Sequence, residues 1–121
     1  MQYMLLIYDD PTQWATFGEG ERDALMQEYF TYSQKLRDSG AYLAGSQLQP
    51  SSTATVVQLR DGETLTTDGP FAETKEQLGG YYLIDVESLD EAIEWAAKIP
   101  SARLGKIEVR PLVMRPAEVQ A

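Results

Sequence analysis

Ionisable side chains crowd one short stretch of the chain, TTDGPFAETKEQLGG, running from Thr66 to Gly80. Asp68, Glu73 and Lys75 fall within eight positions, with Phe71 among them and Gly79-Gly80 following. Groups of this kind can line a cleft that has an apolar wall and a few convergent polar atoms. An ordinary aspartate, with a pKa of about 3.9, is some three units too acidic to be an efficient base at pH 7. Burial against Phe71 would raise it, and Lys75 would oppose that shift. On this reading Asp68 is the candidate catalytic base and Lys75 holds an anionic group of a ligand. Gly69, Pro70, Phe71 and Glu73 complete the ligand-binding rim.

The same residues also make an ordinary turn. Gly69 tolerates backbone angles closed to other residues. Pro70 fixes its own angle, lacks an N–H and ends a strand. Asp68 can accept a hydrogen bond from a backbone N–H two residues on, and Phe71 would anchor the loop by burial. A third use is contact with another protein. Both the turn and the pocket rim remain open at this point.

Other positions carry weaker signals. Tyr8 and Tyr82 are ligand-binding candidates, because each can bring a hydroxyl on an apolar body into the space between two sheets. Asp9 and Asp10 look like a metal pair but read better as a solvated turn after a strand. Trp14 and Phe17 read as loop aromatics covering a core edge, with a pocket wall as the alternative. Arg60, Arg103 and Arg110 read as surface charge. Gly18-Glu19-Gly20 is no phosphate loop, since no Lys-Ser/Thr follows.

Composition removes whole classes of chemistry. The 121 residues include no cysteine and no histidine. Thiolate nucleophiles, disulfides and the commonest metal ligand and neutral-pH base are therefore excluded. No metal or cofactor is expected. Ten basic against nineteen acidic residues give a net charge of −9, which opposes nucleic-acid binding. The longest apolar runs are far below the roughly 20 residues that span a bilayer. The opening MQYMLLIYDD lacks the positive n-region and small-residue cleavage site of an export signal, so it reads as a strand of a cytoplasmic protein.

The elements that must position these residues follow from periodicity. Tyr3 to Tyr8 is a strand, closed by Asp9, Asp10 and Pro11. Thr12 to Gly20 is a loop. Glu21 to Ser39 is a helix, with Leu25, Tyr29, Tyr32 and Leu36 in one stripe and Gly40 as its C-terminal cap. Ala41 to Gln49 is a strand weakened by Gly45. Thr53 to Arg60 and Glu63 to Thr67 flank Asp61-Gly62, a hairpin signal. Gly79 and Gly80 mark a bulge, and Gly80 to Val86 is a strand. Ser88 and Glu91 open a helix to Lys98, packed through Leu89, Ala92, Ile93 and Ala96. Lys106 to Met114 is the last strand, and the tail after Arg115 reads as loose. The chain is a single domain, 1–121, with its ordered core over about 1–114.

Omitting the hairpin leaves β-α-β-β-α-β, the ferredoxin-like α+β order with both helices on one face of an antiparallel sheet. Alternation gives the first strand two apolar faces, Tyr3, Leu5 and Ile7 against Met4, Leu6 and Tyr8. The helices cover only one. Four strands of five residues leave a flat footprint of about 300 Å² on the other. That is at the size of the largest apolar patch usual on a monomer. A homodimer packed through the sheet face is expected; the alternative is the hairpin folding over that face.

The string DGPFAETKEQLGGYYLIDV, with YMLLIYDD, LDEAIEWAAKIP and EVRPLV, resembles the YCII-related superfamily and its DGPF branch over about residues 1–114. The resemblance implies a dimeric α+β barrel of two ferredoxin-like protomers in a soluble bacterial protein. It also implies a link to extracytoplasmic-function sigma factors, because genes of DGPF proteins often neighbour theirs. Related proteins carry a His and Asp pair in a cleft, suspected of acid-base chemistry. This chain has no histidine, so that pair is absent. The expected function is binding of a small ligand, with a regulatory role, in a cleft beside Asp68 to Lys75. The alternatives are a cofactor-independent acid-base enzyme and a protein-interaction module.

Overall fold

The computed structural model describes residues 1–72 and 74–114. Glu73 and the tail after Arg115, on which two of the expectations above fall, lie outside the described residues. The chain runs β1 (Gln2–Asp9), α1 (Pro11–Trp14), α2 (Glu19–Asp38), β2 (Tyr42–Gln47), β3 (Thr55–Arg60), β4 (Glu63–Asp68), β5 (Gln77–Asp85), α3 (Leu89–Ala97) and β6 (Lys106–Pro111). Short 3₁₀ turns at Ser51–Thr53 and Pro100–Arg103 complete it. The sheet has the order β2-β5-β1-β6, all antiparallel. This is the ferredoxin-like arrangement with β3–β4 inserted as a separate two-stranded sheet.

Alternation along β1 decides where the core lies. Tyr3, Leu5 and Ile7 are buried, whereas Met4, Leu6 and Tyr8 are partly exposed. Register places Leu5 opposite Tyr82 and Tyr3 opposite Ile84, so these β5 residues join the buried face. Tyr32 and Leu36 of α2 and Ala92 and Ala96 of α3 close over them. Each large apolar side chain buried here contributes about 1.5–3 kcal/mol. The stripe expected for α2 is observed, although it divides: Leu25, Tyr32 and Leu36 are buried, and Tyr29 is only half-buried.

α2 begins at Glu19, two residues earlier than expected, because Gly18 caps it and the Glu21 carboxylate accepts from the Gly18 N–H. Its acidic first turn and basic last turn complement the helix dipole. Ser88 Oγ accepts from the Glu91 N–H and starts α3. The α3 face differs from expectation. Leu89 and Ile93 are about half exposed, and Trp95 instead sets its ring edge-on to Tyr32. The small Ala92 and Ala96 let the helix lie close to the sheet, and the bulkier neighbours fall beside the contact.

Asp61 and Gly62 both have positive φ, the conformation of a tight type I′ hairpin turn. In the hairpin Val57 and Leu59 are 63% and 76% exposed, so they are not packed against the sheet. The segment expected as a loop after Asp10 contains the single turn α1, started by Pro11 at its first position.

Candidate functional site

The described residues form a cleft of about 580 Å³ between α2 and the β2–β5 edge of the sheet. Met26, Tyr29, Ser33 and Arg37 of α2 form one wall, at intervals of three and four. Tyr42 and Gly45 of β2 and Gln77 to Tyr82 of β5 form the opposite wall. Trp14 closes one end, and the segment from Leu48 to Ser51 covers the side. The volume falls within the range of small-molecule sites.

Asp9 is the carboxylate of this lining. Continuing the β1 alternation past Tyr3, Leu5 and Ile7 puts Asp9 on the helix-covered face, where the strand outruns its apolar cover. The β1–β5 pairing is interrupted between Ile7 and Tyr8: Ile7 pairs Gly80, Tyr8 pairs Leu78, and Gly79 is left over. This is the bulge expected at the glycine pair. A Cβ at Gly79 would lie 3.3 Å from Asp9 Oδ1, so the missing side chain leaves room for the carboxylate. The Trp14 indole N–H donates to Asp9 Oδ2 at 2.8 Å.

Asp9 and its neighbour take opposite roles, which corrects the reading of the pair as a solvated turn. Burial pushes the Asp9 carboxyl above its ordinary value of 3.8, the Trp14 hydrogen bond pulls against that, and Asp10 and Glu76 add to the rise. Asp10 caps α1, accepting from the Thr12 hydroxyl at 2.7 Å and the Thr12 N–H at 2.9 Å. Those two bonds hold its carboxyl below the ordinary value. A carboxylate in a partly dry cleft is a group whose proton affinity the site has altered.

Hydroxyls line the rest of the cleft in pairs. Tyr29 and Ser101 share a hydrogen bond of 2.5 Å, with Ser101 almost fully buried at 1% exposure. Burial pushes the Tyr29 hydroxyl up to about 12, and the Asp9 charge contributes to the rise. Ser33 Oγ and the Tyr82 hydroxyl lie 2.6 Å apart. The Tyr82 ring passes over Gly45, whose Cβ, if present, would come within 2.7 Å of Cδ1. That close approach is the physical role of the glycine in β2. Arg37 lies over the Tyr42 ring at 4.7 Å, and Tyr42 meets Tyr82 edge-on at 6.5 Å.

The described residues of the Asp68 to Lys75 loop, expected to form the rim, lie outside this cleft. Asp68 ends β4 and is exposed. Gly69 donates its N–H to the Ala54 carbonyl at 2.8 Å, and Pro70 is half-buried. Phe71 is 86% exposed, so it anchors nothing by burial and dries no carboxyl. Lys75 is exposed, and Glu73 lies outside the described residues. None of Asp68, Gly69, Pro70, Phe71 and Lys75 lines the cleft. The loop touches it through Gln77, whose side-chain N–H groups reach the Thr74 carbonyl and, at 3.4 Å, that of Ala72.

Tyr8 and Tyr82 do not share one space. Alternation sends Tyr8 to the uncovered sheet face, where its hydroxyl donates to Glu108 at 3.3 Å. Register with Leu5 sends Tyr82 to the helix face and into the cleft. Trp14 walls the cleft, with Phe17 packed on it at 5.7 Å. Among the described residues no cluster of three or more acidic side chains is arranged to hold a metal ion, and no helix is long and apolar enough to cross a membrane.

Comparison with known proteins places this fold. The chain is similar to an uncharacterized protein of Rhizobium meliloti (strain 1021), 38% identical over 122 residues and 98% of each chain. The solved structure of 5-chloro-2-hydroxyhydroquinone dehydrochlorinase from Burkholderia phenoliruptrix AC1100, in complex with 2,5-dihydroxybenzoquinone, superposes with a TM-score of 0.56. It shares 15% sequence identity, over 93% of this chain and 94% of that one, a likeness of fold. The YCII-related domain matches residues 1–115, and the chain belongs to the YCII-related family.

Proposed function

We propose that the cleft between α2 and the β2–β5 edge binds a small organic molecule whose hydroxyl or carbonyl oxygen meets Asp9. The observation that carries this reading is the Asp9 carboxylate, half-buried and oriented by Trp14 within a cleft of about 580 Å³. Displacing water from the Trp14, Met26 and Leu48 walls supplies affinity, and the hydroxyl pairs supply orientation. The dehydrochlorinase of similar fold was solved with a dihydroxybenzoquinone, which makes phenols and quinols sensible probes. Thermal shift with hydroquinone and 4-methylphenol tests the reading. Stabilisation by either, lost in Asp9→Asn, is the expected result; no shift with any such probe would overturn it.

The upward displacement of Asp9 favours a second reading, proton transfer to and from the bound molecule. Its check is deuterium exchange at the central carbon of acetylacetone. Exchange accelerated by the protein and abolished by Asp9→Asn supports catalysis, and exchange at the buffer rate rejects it.

The uncovered sheet face supports a homodimer. Met4, Leu6, Tyr8, Tyr81 and Leu83 share that face, and among the described residues the helices pack on the other one. A stable interface buries about 800 Å² per partner, more than the roughly 300 Å² footprint of the sheet alone. The exposed Val57, Leu59 and Phe71 supply further apolar surface for the pairing. Sedimentation at twice 13.5 kDa is expected, and a particle of single mass at micromolar concentration would reject the dimer.

A further inference from the structure

The cleft has two chemically different ends. Tyr29, Ser33 and Arg37 lie at i, i+4 and i+8 on one face of α2, so the wall runs about 12 Å from Tyr29 to Arg37. The Asp9 charge acts on Tyr29, and the Arg37 charge acts on Tyr82. Asp9 pairs with Gln77 at the start of β5, and Tyr42, the ring under Arg37, pairs with Ile84 near its end. The carboxylate therefore marks one end of the wall and the guanidinium the other.

Arg37 is also unlike the other arginines that line up with acids. Arg103 is paired with Glu28, and Arg110 with Glu108. Among the described residues Arg37 makes no ion pair, and its Cζ lies over the Tyr42 ring, 4.7 Å from the centroid. Stacking on an aromatic face fixes a guanidinium while leaving its N–H edge free to take two oxygens at once. On a chain of net charge −9, this local cation is the feature that would admit an anion.

We propose that the cleft takes a small carboxylic acid lengthwise, its carboxylate on Arg37 and a hydroxyl or carbonyl at its far end beside Asp9 and Tyr29. This rests on the ligand-binding reading above and adds the class of ligand. Ser33 and Tyr82 stand between the two ends, and their paired hydroxyls face the body of the molecule. A second acid at the far end would be repelled by Asp9, so monocarboxylates are favoured over dicarboxylates.

Calorimetric titration with 4-hydroxyphenylacetate, its amide and 4-methylphenol tests the assignment. The acid should bind at least about tenfold more tightly than the amide, because a bidentate ionic bond exceeds a neutral one. Arg37→Met should erase the acid's preference over the amide, while Arg37→Lys keeps part of it. Equal binding of acid and amide by the unaltered protein, or a preference that survives Arg37→Met, overturns the acid assignment and leaves the ligand site standing. Failure of all three probes overturns both.

Discussion

Gly45→Ala probes the contact that holds the cleft open. The added Cβ would lie 2.7 Å from Cδ1 and 3.1 Å from Cε1 of Tyr82, and 3.2 Å from the Tyr81 carbonyl oxygen. An ordinary carbon contact of about 3.5–4.0 Å requires that ring edge to move by roughly 1 Å. The Tyr82 hydroxyl is farther from the pivot and moves more, which breaks its 2.6 Å bond to Ser33. Overpacking costs about 1–3 kcal/mol and the lost hydrogen bond about 0.5–1.5. Replacing glycine within a strand returns about 0.5–1 kcal/mol. The net loss is about 0.5–4 kcal/mol, or roughly 2–20 °C in Tm for a chain of this size. Thermal unfolding of Gly45→Ala, Ser33→Ala and the double variant is the assay. Ser33→Ala should cost little more once Gly45→Ala is present, because the bond is already broken. An unchanged Tm for Gly45→Ala, or strictly additive losses, would refute this description of the Gly45–Tyr82–Ser33 contact.

Three further outcomes follow from the same residues. Asp9→Asn should raise stability at neutral pH even as it removes ligand binding. The folded-state pKa of Asp9 lies above its unfolded value, so the stabilising proton is fully held below the ordinary 3.8 and lost as pH rises through the folded value. The gain over the unaltered protein should therefore grow with pH across that window in chemical denaturation, and a gain independent of pH would contradict it. Ser101→Ala removes the partner of the Tyr29 hydroxyl and should cost about 1–2 kcal/mol by urea unfolding, with Tyr29→Phe in the same background costing little more. Leu36→Ala, at a fully buried position under the sheet, should cost about 2–5 kcal/mol by the same measurement.

The two-faced strand Tyr3 to Tyr8, the Asp61-Gly62 hairpin and the Ser88 cap were all legible, because each rests on local rules of alternation, turn geometry or capping. Together they suffice for the ferredoxin-like order. The site was less legible. Asp9 continues the series Tyr3, Leu5, Ile7, so its inward direction was readable from alternation alone. Its neighbour Asp10 and the turn after it suggested solvent instead. That Trp14 would fold back to hold Asp9, and that Gly79 would clear space for it, depends on a turn of helix and a bulge register, neither of which residue types determine. The cluster Asp68, Phe71 and Lys75 is close in sequence but exposed in space, since β4 ends on the separate hairpin rather than over the core. Tyr8 and Tyr82 were grouped as one pair although β1 alternation and its register with β5 set them on opposite faces.

Amide NMR of the protein titrated with 4-hydroxyphenylacetate locates the ligand site without assuming a function. Shifts centred on Asp9, Ser33, Arg37 and the Gly79-Gly80 bulge are the predicted result. Shifts confined to the Asp68 to Lys75 loop, with those four sites unmoved at saturation, would contradict it.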